Sequence, residues 1–131
     1  MKFLLDTDTC IYLMKGSSQK LLRRFEQSRQ GDVAVSSITV AELAFGASKS
    51  ARSESHVRLQ VFLSPLAVVD FDAMAALHHG ELRSHLERDG KPIGPLDTLI
   101  AAHALSLDLT LITNNTREFG RVPGLRSESW I

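Results

Sequence analysis

The chain is short of the features that would mark a secreted, membrane-bound or strongly polyelectrolyte-binding protein. It has one cysteine, Cys10, so no internal disulfide is possible, and a cytosolic location is expected. No apolar stretch approaches the roughly 20 residues of a membrane span. Asp6 and Asp8 interrupt the only apolar run near the N-terminus, so no secretory leader is expected there. The 15 basic residues are balanced by 15 acidic ones. No global field therefore draws nucleic acid to the surface, and any RNA contact must rest on a local basic patch. There is no internal repeat and no low-complexity segment. The five histidines form no metal set, because His78 and His85 lie seven residues apart and not at the i, i+4 spacing of a zinc protease. They are expected to be surface or partly buried polar groups. Cys10 has no CxxC partner and is expected in the core. Ser36 and Ser37 lack a GxSxG setting, which excludes a serine triad of that kind.

What is present is an ordinary globular composition, 44% hydrophobic and 23% charged over 131 residues. That fits one compact domain over residues 1–131. Short runs that are apolar on both sides predict buried parallel strands at Lys2–Leu5, Val33–Ser36, Ala67–Asp70 and Thr110–Thr113. Helical patterns lie between them. Thr7 or Asp8 can cap a helix reaching Lys15, with Gly16 as its stop. Further helices are expected over Lys20–Gln30, Thr39–Ser48, Ser53–Leu63, Asp72–Asp89 and from Pro95 to Leu107. Alternating strands and helices predict an α/β fold with a mainly parallel sheet and helices on both faces. The stretch Gly90-Lys91-Pro92-Ile93-Gly94-Pro95 is too short to divide domains and reads as a loop over the site.

The polar residues at the ends of these elements are informative. Phe3-Leu4-Leu5 stops at Asp6, and the second strand leads through Ser36 and Ser37 to Glu42. Gly94-Pro95-Leu96 opens a helix at Asp97, and the last strand ends at Thr113-Asn114-Asn115. In a parallel sheet these gather at the carboxyl edge, where open α/β sheets bind ligands. Each also has an ordinary structural explanation. Asp6 fits a strand-ending turn, and Asp8 fits a cap. Thr39-Val40-Ala41-Glu42 has capping-box spacing. Asp97 falls at N3, where the helix dipole favours a carboxylate. Asn115 suits a turn, and Arg117 and Arg121 suit solvated helix ends. The joint placement is what points to a site. Several carboxylates in one crevice call for a hard cation, Mg²⁺ or Mn²⁺, and for hydrolysis of a phosphate ester.

Four markers in order resemble PIN-domain ribonucleases, in particular VapC-type toxins of bacterial toxin–antitoxin pairs. They are Leu4-Leu5-Asp6-Thr7-Asp8, then Ser37-Ile38-Thr39-Val40-Ala41-Glu42-Leu43, then Ile93-Gly94-Pro95-Leu96-Asp97 with Ile100-Ala101-Ala102-His103-Ala104, and finally Thr113-Asn114-Asn115-Thr116-Arg117-Glu118-Phe119. The resemblance implies a PIN-like α/β/α sandwich with four to five strands and a metal-dependent endoribonuclease. It implies Asp6, Glu42 and Asp97 as metal-binding and catalytic acids. The fourth polar position, commonly Asp, falls here on Asn115, which removes one charge and puts a second tightly held metal in doubt. Asp6 and Asp97 would bind the metal directly, and Glu42 directly or through water. Arg117 and Arg121 are the expected phosphate contacts. The resemblance also implies a homodimer, inhibition by a cognate VapB-like antitoxin, and an RNA substrate such as tRNA. The Thr-Asn-Asn-Thr-Arg-Glu-Phe ending is similar to that of a subgroup cutting initiator tRNA in its anticodon stem-loop.

Two rivals stand beside it. Phe3-Leu4-Leu5-Asp6-Thr7-Asp8-Thr9 also matches the opening motif of haloacid-dehalogenase-like phosphatases, with Asp6 as nucleophile and Asp8 as acid/base. That reading lacks a later paired-acid motif and a placed lysine. A receiver-like binding module could use Asp6, Asp8 and Asp70, but no lysine follows the last strand.

Overall fold

The computed structural model describes residues Met1–Ile131. The elements run β1 (Phe3–Leu5), α1 (Thr7–Lys15), α2 (Gln19–Glu26), β2 (Val33–Ser36), α3 (Ser37–Lys49) and α4 (Ser55–Leu63). They continue as β3 (Ala67–Val69), α5 (Ala73–Arg88), α6 (Pro95–Leu107), β4 (Thr110–Ile112), α7 (Thr116–Phe119) and β5 (Ser127–Glu128). The five strands form one parallel sheet in the order β3-β2-β1-β4-β5.

Side chains on successive strand residues point to opposite faces, and two cores follow from that period of two. Leu4, Ala34 and Leu111 face one way and pack with Leu82 and Leu86 of α5 and Ile100, Ala101 and Ala104 of α6. Leu5, Val33, Val35 and Ile112 face the other way and pack with Cys10, Leu13, Leu21, Leu43 and Leu59 from α1 to α4. The result is an α/β/α sandwich, as the alternation of elements predicts. No helix is long and apolar enough to cross a membrane.

The topology places the site. From β1 the chain steps one way to β2 and β3, and later the other way to β4 and β5. The reversal falls between β1 and β4, and a crevice opens there outside the carboxyl ends of the strands. Asp6 lies on one side of it, and its backbone amide donates to the carbonyl of Ile112 at 3.0 Å. Thr113, Asn114 and Asn115 lie on the other.

The structure corrects several expectations. α1 is capped by Asp6 itself, not by Thr7 or Asp8: the Asp6 carboxylate accepts from the Thr9 amide at 2.8 Å. α3 begins at Ser37, two residues early, because Ser36 both ends the strand and caps the helix through its hydroxyl to the Ile38 amide. His103 is wholly buried, not partly so, and its Nδ1 meets the Ser36 hydroxyl at 2.8 Å. Burial holds its pKa below the ordinary histidine value, so the ring sits neutral in the core. Cys10 is buried as expected, and burial pushes its thiol far above the usual range.

Candidate active site

Asp6 stands at the carboxyl end of the central strand, 4% exposed. Its carboxylate accepts from the Thr9 amide at 2.8 Å and lies near the Thr113 hydroxyl, while the Thr9 hydroxyl donates to the Ile112 carbonyl at 3.2 Å. Those donors favour the charged form, but burial outweighs them and lifts the carboxyl above its ordinary value. Asp8, two residues on, adds repulsion.

Asp97 sits at N3 of α6, as its Gly-Pro approach predicts. Burial, then Glu118, then Asp6 and Asp8 push its carboxyl up to about 7. The helix dipole that would explain a structural carboxylate here lowers a pKa. A carboxyl driven the other way by three neighbouring acids is a member of a charged cluster.

Glu118 is the member that sequence reasoning missed. Its Oε1 accepts from the Gly94 amide at 3.0 Å, and its Oε2 accepts from the Asn115 side-chain amide. A Cβ added at Gly94 would lie 3.3 Å from Asp97 Oδ2 and 3.9 Å from Glu118 Oε1. Gly94 therefore keeps the space between two acids open. The signal for Glu118 was available as the Asn115-x-x-Glu118 spacing, a helix-start pattern. Asn115 does cap α7, accepting from the Glu118 amide at 3.3 Å.

Glu42 is not at N3, because α3 starts early. The capping-box explanation is thereby removed. Its carboxylate instead accepts the Thr7 hydroxyl at 2.7 Å across from α1. It lies on the same sheet edge but does not contribute to the charge felt at Asp6 or Asp97. Asn115 is brought to the rim with its side chain committed to Glu118. Arg117 is exposed on α7 with no ion-pair partner. Arg121 is tied down, its guanidinium donating to the Pro92 carbonyl at 3.2 Å. With the Gly94–Glu118 bond, this stitches the loop before α6 to α7.

Three comparisons bear on this arrangement. The PIN domain family model matches residues 3–125. The chain belongs to the PIN-domain family. It is 46% identical over 131 residues to the "tRNA(fMet)-specific endonuclease VapC" of Shigella flexneri, covering 99% of this chain and 98% of that one. The crystal structure of DNA-bound VapBC from Salmonella typhimurium superposes with a TM-score of 0.95 at 44% identity, covering 100% of this chain and 99% of the other. The VapBC2 structure from Rickettsia felis, bound to a promoter DNA fragment, gives 0.93 at 39% identity over 100% of both chains. This membership sets aside the phosphatase and receiver alternatives. The geometry agrees. Asp70 follows edge strand β3, two strands from β1, too far across the sheet to complete a receiver-like pocket with Asp6 and Asp8.

In this PIN-domain site no three acidic, histidine or cysteine side chains stand close enough to cage a cation unaided. The donors are all oxygens, and Asp97 is held at about 7 by burial and then by the charges of Glu118, Asp6 and Asp8. Such a set fits a hard ion that keeps several waters and takes one or two carboxylates, which is how Mg²⁺ binds. Asp6 and Asp97 are the two residues that would hold it.

Proposed function

We propose that this PIN-domain chain is the endoribonuclease toxin of a toxin–antitoxin pair and that it cuts a structured tRNA. The observation that carries the reading is the Asp6–Asp97–Glu118 cluster at the switch point between β1 and β4, with Asp97 pushed up to about 7. The names of the most similar relatives support the reaction class and the substrate, initiator tRNA. The VapBC complexes among its structural neighbours support an antitoxin partner. Residues 1–131 then form one nuclease domain that works in the cytoplasm, where tRNA is found.

Asp6 and Asp97 would hold Mg²⁺ or Mn²⁺, and Glu42 would assist them or accept a proton from the attacking water. Held there, the ion would supply Lewis-acid chemistry at the scissile phosphate. Glu118, fixed by Gly94 and Asn115, adds negative charge beside Asp97 and raises its carboxyl. Arg117 faces the RNA backbone. A groove of about 270 Å³ between α1, α3 and α4, lined by Ile11, Met14, Leu43 and Leu59, ends at Glu42. It suits an apolar segment of the antitoxin, with a basic side chain reaching the carboxylates. Met74 and Leu77 on α5 and Val68 on the edge strand are exposed and support pairing with a second copy.

The test is incubation with initiator tRNA and with a phosphomonoester, each with Mn²⁺ and with chelator, followed by mapping of the 5′ ends. Cleavage of the tRNA at one position, lost on chelation, is the expected result. Three further outcomes follow from the local geometry. Arg117→Ala should weaken binding across RNA sequences and flatten the salt dependence by about one phosphate contact. Arg121→Ala should leave that slope intact and lower the melting temperature, because its bond is to Pro92. Glu118→Gln should remove the largest charge that raises Asp97. Asp97 then ionises at lower pH, and the acid limb of the pH–rate profile should move down.

A further inference from the structure

One face of α1, apart from Ile11, which also packs against the core, is turned toward a pocket. Thr9, Cys10 and Leu13 are buried. Asp8, Ile11, Tyr12 and Lys15 follow the i, i+3, i+4, i+7 stripe and line a pocket of about 440 Å³ with Asn114 and Asn115. That volume lies within the range of small-molecule sites, about 300–1,000 Å³. The pocket adjoins the acid cluster, because the Asp8 charge is felt at both Asp6 and Asp97.

Its lining is uncommitted in a specific way. Tyr12 is the chain's only tyrosine and is 41% exposed. Lys15 takes part in none of the structure's ion pairs. Asn115 is saturated by Glu118 at both ends of its amide. Asn114 is not: its Nδ2 is buried without any hydrogen-bond partner. A buried amide left unpaired is rare in native proteins and calls for an explanation. A half-turn of the amide exchanges its donor and acceptor ends, so either can meet a ligand edge.

The chemistry of these groups converges on one ligand class. An exposed ring stacks on a flat heterocycle, an amide reads its edge, a carboxylate accepts from its N–H groups, and an ammonium meets a phosphate beyond it. A base inside a duplex is stacked and paired, so only an unpaired nucleotide can enter. We propose that this pocket seats an unpaired nucleobase of the RNA next to the scissile phosphate, stacked on Tyr12, read by Asn114, with Lys15 on the neighbouring phosphate. The proposal rests on the ribonuclease reading above.

The experiment uses the full chain with Mn²⁺ and the anticodon stem-loop hairpin of initiator tRNA. A matched set of hairpins carries an abasic site at each loop position in turn. Tyr12→Ala should lower kcat/KM on the intact hairpin by roughly five- to a hundredfold, the range of one base–aromatic stack. Tyr12→Phe should stay within about twofold, since the ring is kept. One abasic hairpin should show the same loss with the wild-type protein, and no further loss with Tyr12→Ala. Asn114→Ala should narrow the differences among the four bases at that position. Equal melting temperatures of Tyr12→Ala and wild type exclude a folding defect. If the Tyr12→Ala and abasic losses multiply at every loop position, or if Tyr12→Ala cuts like the wild type, the base pocket is wrong and the nuclease stands. If the wild type cuts no hairpin and no tRNA, the ribonuclease reading itself falls and takes the pocket with it.

Discussion

Asp97→Asn is expected to abolish cleavage and, in the absence of metal, to make the protein more resistant to heat at pH 8. Loss of a direct metal contact should reduce the rate at least about a hundredfold, since even outer-sphere partners of metal ligands are worth 10–100-fold. The stability gain has a sign that depends on pH. The Asp97 carboxyl titrates near 7 in the fold and at an ordinary value near 3.8 when the chain is unfolded. Between those values the native state binds more protons than the unfolded state, so stability falls as pH rises through the window. Above pH 7 the native protein carries the full burden of a charge opposed by burial, Glu118, Asp6 and Asp8. Asparagine escapes it. Asp97 is about half open to water, which weakens the effect, so the gain at pH 8 is roughly 1–2 kcal/mol. The lost helix-dipole interaction, about 0.3–1 kcal/mol, offsets part of it. At pH 4 most of the gain is gone, because wild-type Asp97 is then protonated in the native state and about half so in the unfolded chain. Thermal melts with chelator at pH 8 and pH 4 measure this. Mg²⁺ should stabilise the wild type by about 2.7 kcal/mol at a hundredfold excess over Kd, and the variant by much less. A variant that melts lower at pH 8 and responds to Mg²⁺ like the wild type would mark Asp97 as a helix-start carboxylate and nothing more.

The second large effect is expected in growing cells. Induction of the wild-type chain alone should arrest growth, and induction of Asp6→Asn should not. Asp6 is the sharper choice of residue because its structural duty survives the change. Asparagine caps a helix about as well as aspartate, so the bond from the Thr9 amide is kept. The charge is what is lost, and with it the ability to hold a divalent cation beside Asp97. Asp8→Asn should stay toxic, since Asp8 shapes the local field without being one of the two proposed holders. Co-induction of the antitoxin should relieve the wild type. Immunoblots at matched induction and colony counts decide the outcome. Arrest by Asp6→Asn equal to the wild type's would sink the proposed role of Asp6.

How much of this was legible in the chain differs from element to element. β1, β2 and β4 announce themselves because strands buried on both faces must be apolar throughout. β5 does not, because Ser127 and Glu128 carry no apolar pattern and are strand only by their ladder to β4. Asp97 could be placed to the residue, since a glycine and a proline fix where α6 begins. Glu42 reads as a site acid with a capping box as its structural rival, because Thr39 resembles a helix start. No local signal shows that Ser36 ends a strand and caps a helix at once. Arg117 and Arg121 looked equivalent in sequence. Only the fold reveals that one reaches back to Pro92 while the other faces solvent. Glu118 lay within a recognised motif, yet its importance depends on Gly94, 24 residues away.

The strand order also governs when the enzyme can come into being during synthesis. β1 is made first, but its neighbour β4 follows more than a hundred residues later, and β5 closes the sheet almost at the end of the chain. Asp6 waits for Asp97, and both wait for Glu118. Contacts this distant in sequence form late and slowly, because the intervening loop must be closed before they repay it. A growing chain on the ribosome therefore holds no assembled acid cluster until Glu118 has emerged and α6 and α7 have docked beside β1.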